Sequence, residues 1–204
     1  MARGLNVLVL ESDRGAATVA CHELEDAGHT VRVCHEPGCG AFPCNALRDG
    51  ESCPLSGEPI DVALDIRRKP RSQPTALEDG VACAIREHVP LVVAGPAVFS
   101  PYAEYATETR ADTFDVVTAC ERAAEAPLAR HTAAAQDALA WTLERRSLPV
   151  DARVSVYRRK GALFVSVATG SDLDRATKNM VAVRITAALR AFDRYARGID
   201  VVFT

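Results

Sequence analysis

The chain has 204 residues, 48% of them apolar and 25% charged, enough apolar material for real cores and an ordinary charge density for a globular protein. That length suits one full domain plus a small second one, and no apolar run approaches what a bilayer crossing needs. The net charge of −3 hides a split: residues 1–127 hold 11 basic and 20 acidic residues (net −9), whereas residues 128–204 hold 13 and 7 (net +6), which suggests two units with different partners or with attraction for each other.

The basic residues are 21 Arg and three Lys, a bias that with the abundant Ala points to GC-rich bacterial coding rather than to function. Met1-Ala2-Arg3-Gly4 runs straight into a strand-like segment without signal-peptide anatomy, so a cytoplasmic location is expected. Leu5 to Leu10 is a continuous apolar run that suits a buried parallel strand. Ser12 or Asp13 is placed to cap a helix that runs to about Ala27, with Gly28 as its C′ residue. His29 to Val33 alternates and is a second strand. From Cys34 to Pro59, prolines and glycines exclude a regular element.

Ile60 to Ile66 is a third strand, Arg67 to Pro74 a basic loop, and Thr75 to His88 a helix with Leu77, Val81 and Ile85 on its apolar side. Pro90 to Ala94 is a fourth strand, Tyr102 to Thr109 a short helix and Phe114 to Val117 a short fifth strand. This order predicts a doubly wound parallel five-stranded α/β sheet with right-handed crossovers. The pattern breaks at Glu121 to Pro127. Leu128 to Arg146 is an amphipathic helix. Asp151–Tyr157 and Ala162–Ala168 alternate as a hairpin about Arg158-Arg159-Lys160-Gly161. A helix started by Ser171 with Asp174 runs to about Arg197, and Ile199 to Phe203 is a last strand. The expected domains are therefore 1–127, with a Cys-rich insertion at 34–59, and 128–204, a small basic α+β unit of order α-β-β-α-β.

The segments VLVLESD (Val7 to Asp13), LEDAGHTVRV (Leu24 to Val33), IDVALDIRRKP (Ile60 to Pro70) and LEDGVACAIREHVPLVVAG (Leu77 to Gly95) together resemble a response-regulator receiver domain, which has a flavodoxin-like fold. The resemblance implies a phospho-acceptor at Asp65 and a Mg²⁺ site at Glu11 and Asp13, because carboxylates at the carboxyl ends of adjacent parallel strands converge on one crevice. The chain departs from that pattern twice. Ala94 or Gly95 stands where a receiver has Ser or Thr, and Thr118 and Ala119 occupy the region of its Lys. A degenerate pseudo-receiver is therefore expected.

Cys34, Cys39, Cys44 and Cys53 follow a C-x₄-C-x₄-C-x₈-C spacing, with His35 beside the first. Four soft ligands suit tetrahedral zinc or an iron–sulfur cluster, although the usual C-x₂-C knuckle is absent. Redox-switchable thiols and plain loop cysteines are the alternatives. Cys21, Cys83 and Cys120 sit among apolar residues and read as small core hydrophobes.

The C-terminal unit loosely resembles BON-like or KH-like modules in element order alone. Arg158, Arg159 and Lys160, with Arg175, Lys178 and Arg184, form a candidate anion-binding face, against a solvated basic surface as the plainer reading. Trp141 reads as a core anchor. No nucleophile elbow, P-loop or dinucleotide fingerprint is present. The expected function is non-catalytic: a signalling protein, alone or as a homo-oligomer, that contacts a protein partner under control of a metal or redox state of the cysteine loop. The alternatives are nucleic-acid binding through the basic domain and phospho-acceptance at Asp65.

Overall fold

The computed structural model describes residues 4–35, 44, 46, 53–96, 99–159, 161–170, 173–194 and 196–204. It divides into two compact units, Met1–Ala124 and Glu125–Thr204.

The first unit is built on a five-stranded, wholly parallel sheet of order β2-β1-β3-β4-β5. The strands are β1 (Asn6–Glu11), β2 (Thr30–Val33), β3 (Val62–Ile66), β4 (Leu91–Ala94) and β5 (Glu108–Arg110). The three central strands are apolar almost throughout because helices cover both faces. On one face Val7, Val9, Val62, Leu64 and Ile66 pack with α1 (Thr18–Asp26) and α3 (Val116–Glu125). On the other, Leu8, Leu10, Ala63, Leu91 and Val93 pack with Val81 and Ala84 of α2 (Asp79–Arg86) and with Tyr102. The α/β class and the strand order 2-1-3-4-5 agree with a flavodoxin-like architecture.

Several boundaries differ from expectation. The segment Phe114 to Val117 is not a strand: Val116 opens α3 and its buried side supplies Ala119, Cys120 and Ala123 to the core. The fifth strand is Glu108–Arg110, overlapping the end of the stretch expected to be helical, in which a 3₁₀ turn forms at Ala103–Tyr105. α1 starts later than its sequence signals. Neither Ser12 nor Asp13 caps it; Glu11 accepts from the N–H groups of Gly15 (3.1 Å) and Ala17 (3.0 Å) instead. Gly28 takes the left-handed conformation (φ 85°) just past its end, as expected.

The second unit has a three-stranded sheet of order β6-β7-β8: β6 (Arg153–Arg159), β7 (Ala162–Ala168) and β8 (Ile199–Phe203). β6 and β7 are antiparallel, and β7 and β8 parallel. Helices α4 (Ala129–Glu144) and α5 (Arg175–Phe192) supply Ala135, Leu139, Val181, Ile185 and Leu189 to the core formed with Val154, Val156, Leu163, Val165 and Val167. Asp174 caps α5, accepting from Thr177 N (2.7 Å). Ser171, like Cys39 and Lys160, lies outside the described residues. α5 ends at Phe192 rather than near Arg197.

Candidate functional site

The structure does not gather Asp65, Glu11 and Asp13 into one crevice. Asp65 is the penultimate residue of β3 and pairs in register with Leu10, whereas Glu11 pairs with Ile66. Side chains alternate along a strand, so Asp65 projects toward the α2 face and Glu11 toward the α1 face. Glu11 is engaged by the turn before α1, and Asp13 accepts from Arg71 Nη2 at 2.9 Å.

Asp65 is 0% exposed. Burial, then the Glu78 carboxylate, push its carboxyl up to about 8, with Arg67 opposing. Glu78 is equally buried and forms an ion pair with Arg67 at 3.0 Å, while Thr75 N donates to its other oxygen at 2.6 Å. Two carboxyls meeting in this way hydrogen-bond only while one is protonated. Counted as ionised, both Asp65 oxygens lack a donor. Arg67 is held further by Ser100 Oγ (3.2 Å) and the Arg71 carbonyl (3.0 Å). Asp65, Arg67 and Glu78 thus form a buried cluster of charged residues between β3 and α2.

The receiver-like positions around it also shift. Thr118 and Ala119 lie within α3, and the residue at the end of β5 is Arg110. Gly95, after β4, has φ 110°, and a Cβ there would stand 1.9 Å from the Arg67 carbonyl oxygen. No hydroxyl-bearing residue fits that position.

Among the described residues, Cys34, Cys44 and Cys53 have a neighbour that their spacing did not include, Cys83. Cys34, at the end of β2, is buried, and its sulfur lies against Gly80 of α2, where a Cβ would be 2.8 Å away. Cys83 is three residues further along α2, on the same side. The chain after Cys53 enters the same core through Leu55. Burial raises the Cys34 thiol to about 12, and Cys53, Cys83 and Cys44 add to the rise. Burial also raises Cys83, with Arg86 opposing and Cys53 and Cys44 adding. Cys83 is thus no isolated core residue; among the described residues it joins Cys34, Cys44 and Cys53. Cys120, by contrast, is fully buried in the core under α3.

His35 adjoins the cluster. Burial lowers its basicity, with Asp79 opposing, and neither ring nitrogen has a hydrogen-bond partner among the described residues. As placed, no three His, Cys, Asp or Glu side chains among the described residues converge closely enough to hold a metal ion. A groove of about 760 Å³ along β1, β2 and α1 reaches the cluster; Glu11, Arg14, Thr18, His22, Cys34 and His35 are among its lining.

Compared with known proteins, the chain matches no family model, no curated protein and no solved structure.

In the second unit the expected anion-binding set is dispersed. On β6 the alternation turns Arg158 inward, where it pairs with the buried Asp193. Asp193 also meets His131 Nε2 at 3.0 Å. Arg159 points to the opposite face, and Arg175 and Lys178 lie on α5. Trp141 is not a core anchor: it is 42% exposed, with the guanidinium carbons of Arg184 and Arg145 at 4.5 and 4.8 Å from its ring. No helix among the described residues is long and apolar enough to cross a membrane.

Proposed function

We propose that this chain is a non-catalytic regulatory protein built on a receiver-derived scaffold, with a soft-metal thiolate site in place of phosphorylation as its control point. The observation that carries the reading is the Cys34 sulfur lying against α2 at Gly80, one turn from Cys83, with Cys44 and Cys53 of the segment after β2 close enough to raise these thiols and with His35 next in the chain.

Buried thiols that raise one another's pKa are poor nucleophiles at neutral pH, which argues against a thiol-based enzyme. The same repulsion favours a cation, since a divalent soft ion offsets the charge of several thiolates at once and displaces their protons. Zinc or an iron–sulfur cluster suits this donor set. Binding would draw the sulfurs together and fasten the segment after β2 to α2, changing the surface offered to a protein partner.

The test is zinc and iron content, with a visible spectrum, of protein purified without oxygen. About one zinc, or one cluster, per chain is expected. Content should fall in Cys34→Ser, Cys53→Ser and Cys83→Ser and persist in Cys120→Ser. Binding should weaken as pH falls, because protons compete for the thiolates. Wild-type protein with neither zinc nor iron, and no uptake of added zinc, would reject the site.

A further inference from the structure

The sheet of the second unit has one face packed under α4 and α5 and another that its own helices leave uncovered. On β6 the uncovered positions are Arg153, Ser155, Tyr157 and Arg159; on β7, Ala162, Phe164, Ser166 and Ala168; on β8, Asp200 and Val202. Phe164 is 39% exposed and Val202 50%. Tyr157 and Phe164 are direct cross-strand partners, and Phe164 in turn faces Asp200. The half-buried Tyr157 and the exposed Phe164 thus occupy adjacent positions on this face, in the third residue pair from the hairpin turn. Arg153 and Arg159 bracket them on the same strand, roughly 20 Å apart at the rise of a β-strand.

We propose that this face binds single-stranded nucleic acid, with Tyr157 and Phe164 as the stacking platform for bases and Arg153 and Arg159 as phosphate contacts. Adjacent aromatic positions on an open sheet face offer π-surfaces that unpaired bases can use and that a duplex, whose bases present only their edges, cannot. The polyanion is favoured by charge: residues 128–204 carry 13 basic and 7 acidic residues, and setting aside the buried Arg158–Asp193 pair leaves 12 and 6. Asp200 is the one acid among the face positions. It opposes a phosphate but accepts from base amino groups, so it favours a base beside Phe164.

The experiment is fluorescence anisotropy of labelled oligo(dT) and oligo(rU) with the full chain across a salt series, beside a duplex of equal length. Binding of the single strands, weaker for the duplex, is expected. Phe164→Ala should weaken it about tenfold or more, with Phe164→Trp restoring it. Arg153→Gln with Arg159→Gln should flatten the log–log salt dependence by about 1.4, two contacts at about 0.7 each. Thermal melts of each variant establish that the fold is retained. Three results would overturn the proposal: no salt-sensitive binding of either oligomer; equal affinity in wild type and Phe164→Ala; or a larger loss from Arg175→Gln with Lys178→Gln, which would move binding to the helical layer. Sedimentation supplies a fourth: a dimer dissolved by Phe164→Ala, without oligonucleotide binding, would make the face a contact between two copies of this chain.

Discussion

Asp65 shows how a single residue type carries opposite meanings in two environments. At the open end of a parallel strand a carboxylate binds cations. One residue deeper and facing α2, it is stripped of water and pressed against Glu78. Its folded pKa, about 8, lies above the ordinary value of 3.8. Between those values the native state keeps a proton that the unfolded chain releases, so this group makes stability fall as pH rises from about 4 to about 8. The slope is up to about 1.4 kcal/mol per pH unit. Asp65→Asn should therefore show a flatter stability profile than wild type in urea melts between pH 5 and 8. Superimposable profiles would mean that no proton is shared. Acetyl phosphate should give no Asp65-dependent band shift in phosphate-affinity electrophoresis. Gly95 is the second residue on which this cluster depends. Gly95→Ala forces a methyl into the Arg67 carbonyl at a left-handed φ, and a loss of about 2 kcal/mol or more is expected from chemical melts.

Elements buried on both sides were the most legible. β1, β3 and β4 are apolar runs because nothing polar survives between two helical layers, and the hairpin β6–β7 announces itself by alternation around Gly161. β5 was hidden because it is a three-residue strand made of Glu108, Thr109 and Arg110, which the sheet recruits by position rather than by apolarity. Its charges suit an edge: Glu108 pairs with Arg122 of α3. Phe114 to Val117 imitated a strand because four apolar or acidic residues cannot distinguish the start of α3 from a strand. Local spacing likewise gave no sign of Cys83, which lies on the helix that meets the Cys34 sulfur at Gly80. The His131–Asp193–Arg158 cluster, which ties α4 and β6 to the end of α5, had no signal at all, since its members are 62 and 35 residues apart. Removing its anion strands a buried guanidinium. Asp193→Asn should cost about 3 kcal/mol, and Asp193→Asn with Arg158→Met should recover most of it; a double variant as unstable as the single one would assign the loss to His131 instead.

At the scale of the whole chain, each core is self-contained. The residues of the helix-covered three-stranded sheet all fall within 125–204, and both layers of the five-stranded sheet draw only on residues before 125. The charge split at residue 127 falls three residues from that boundary, because surface composition follows the unit to which a segment belongs. Cores that share no side chain have no reason to melt as one. An isolated 125–204 chain should give a dispersed amide spectrum, and the full chain two calorimetric transitions. Asp65→Asn should then alter the pH dependence of one transition and leave the other in place, while Asp193→Asn should lower only the second. A single transition that moves as a whole in both variants would show that the two units are held together by an interface strong enough to couple their unfolding.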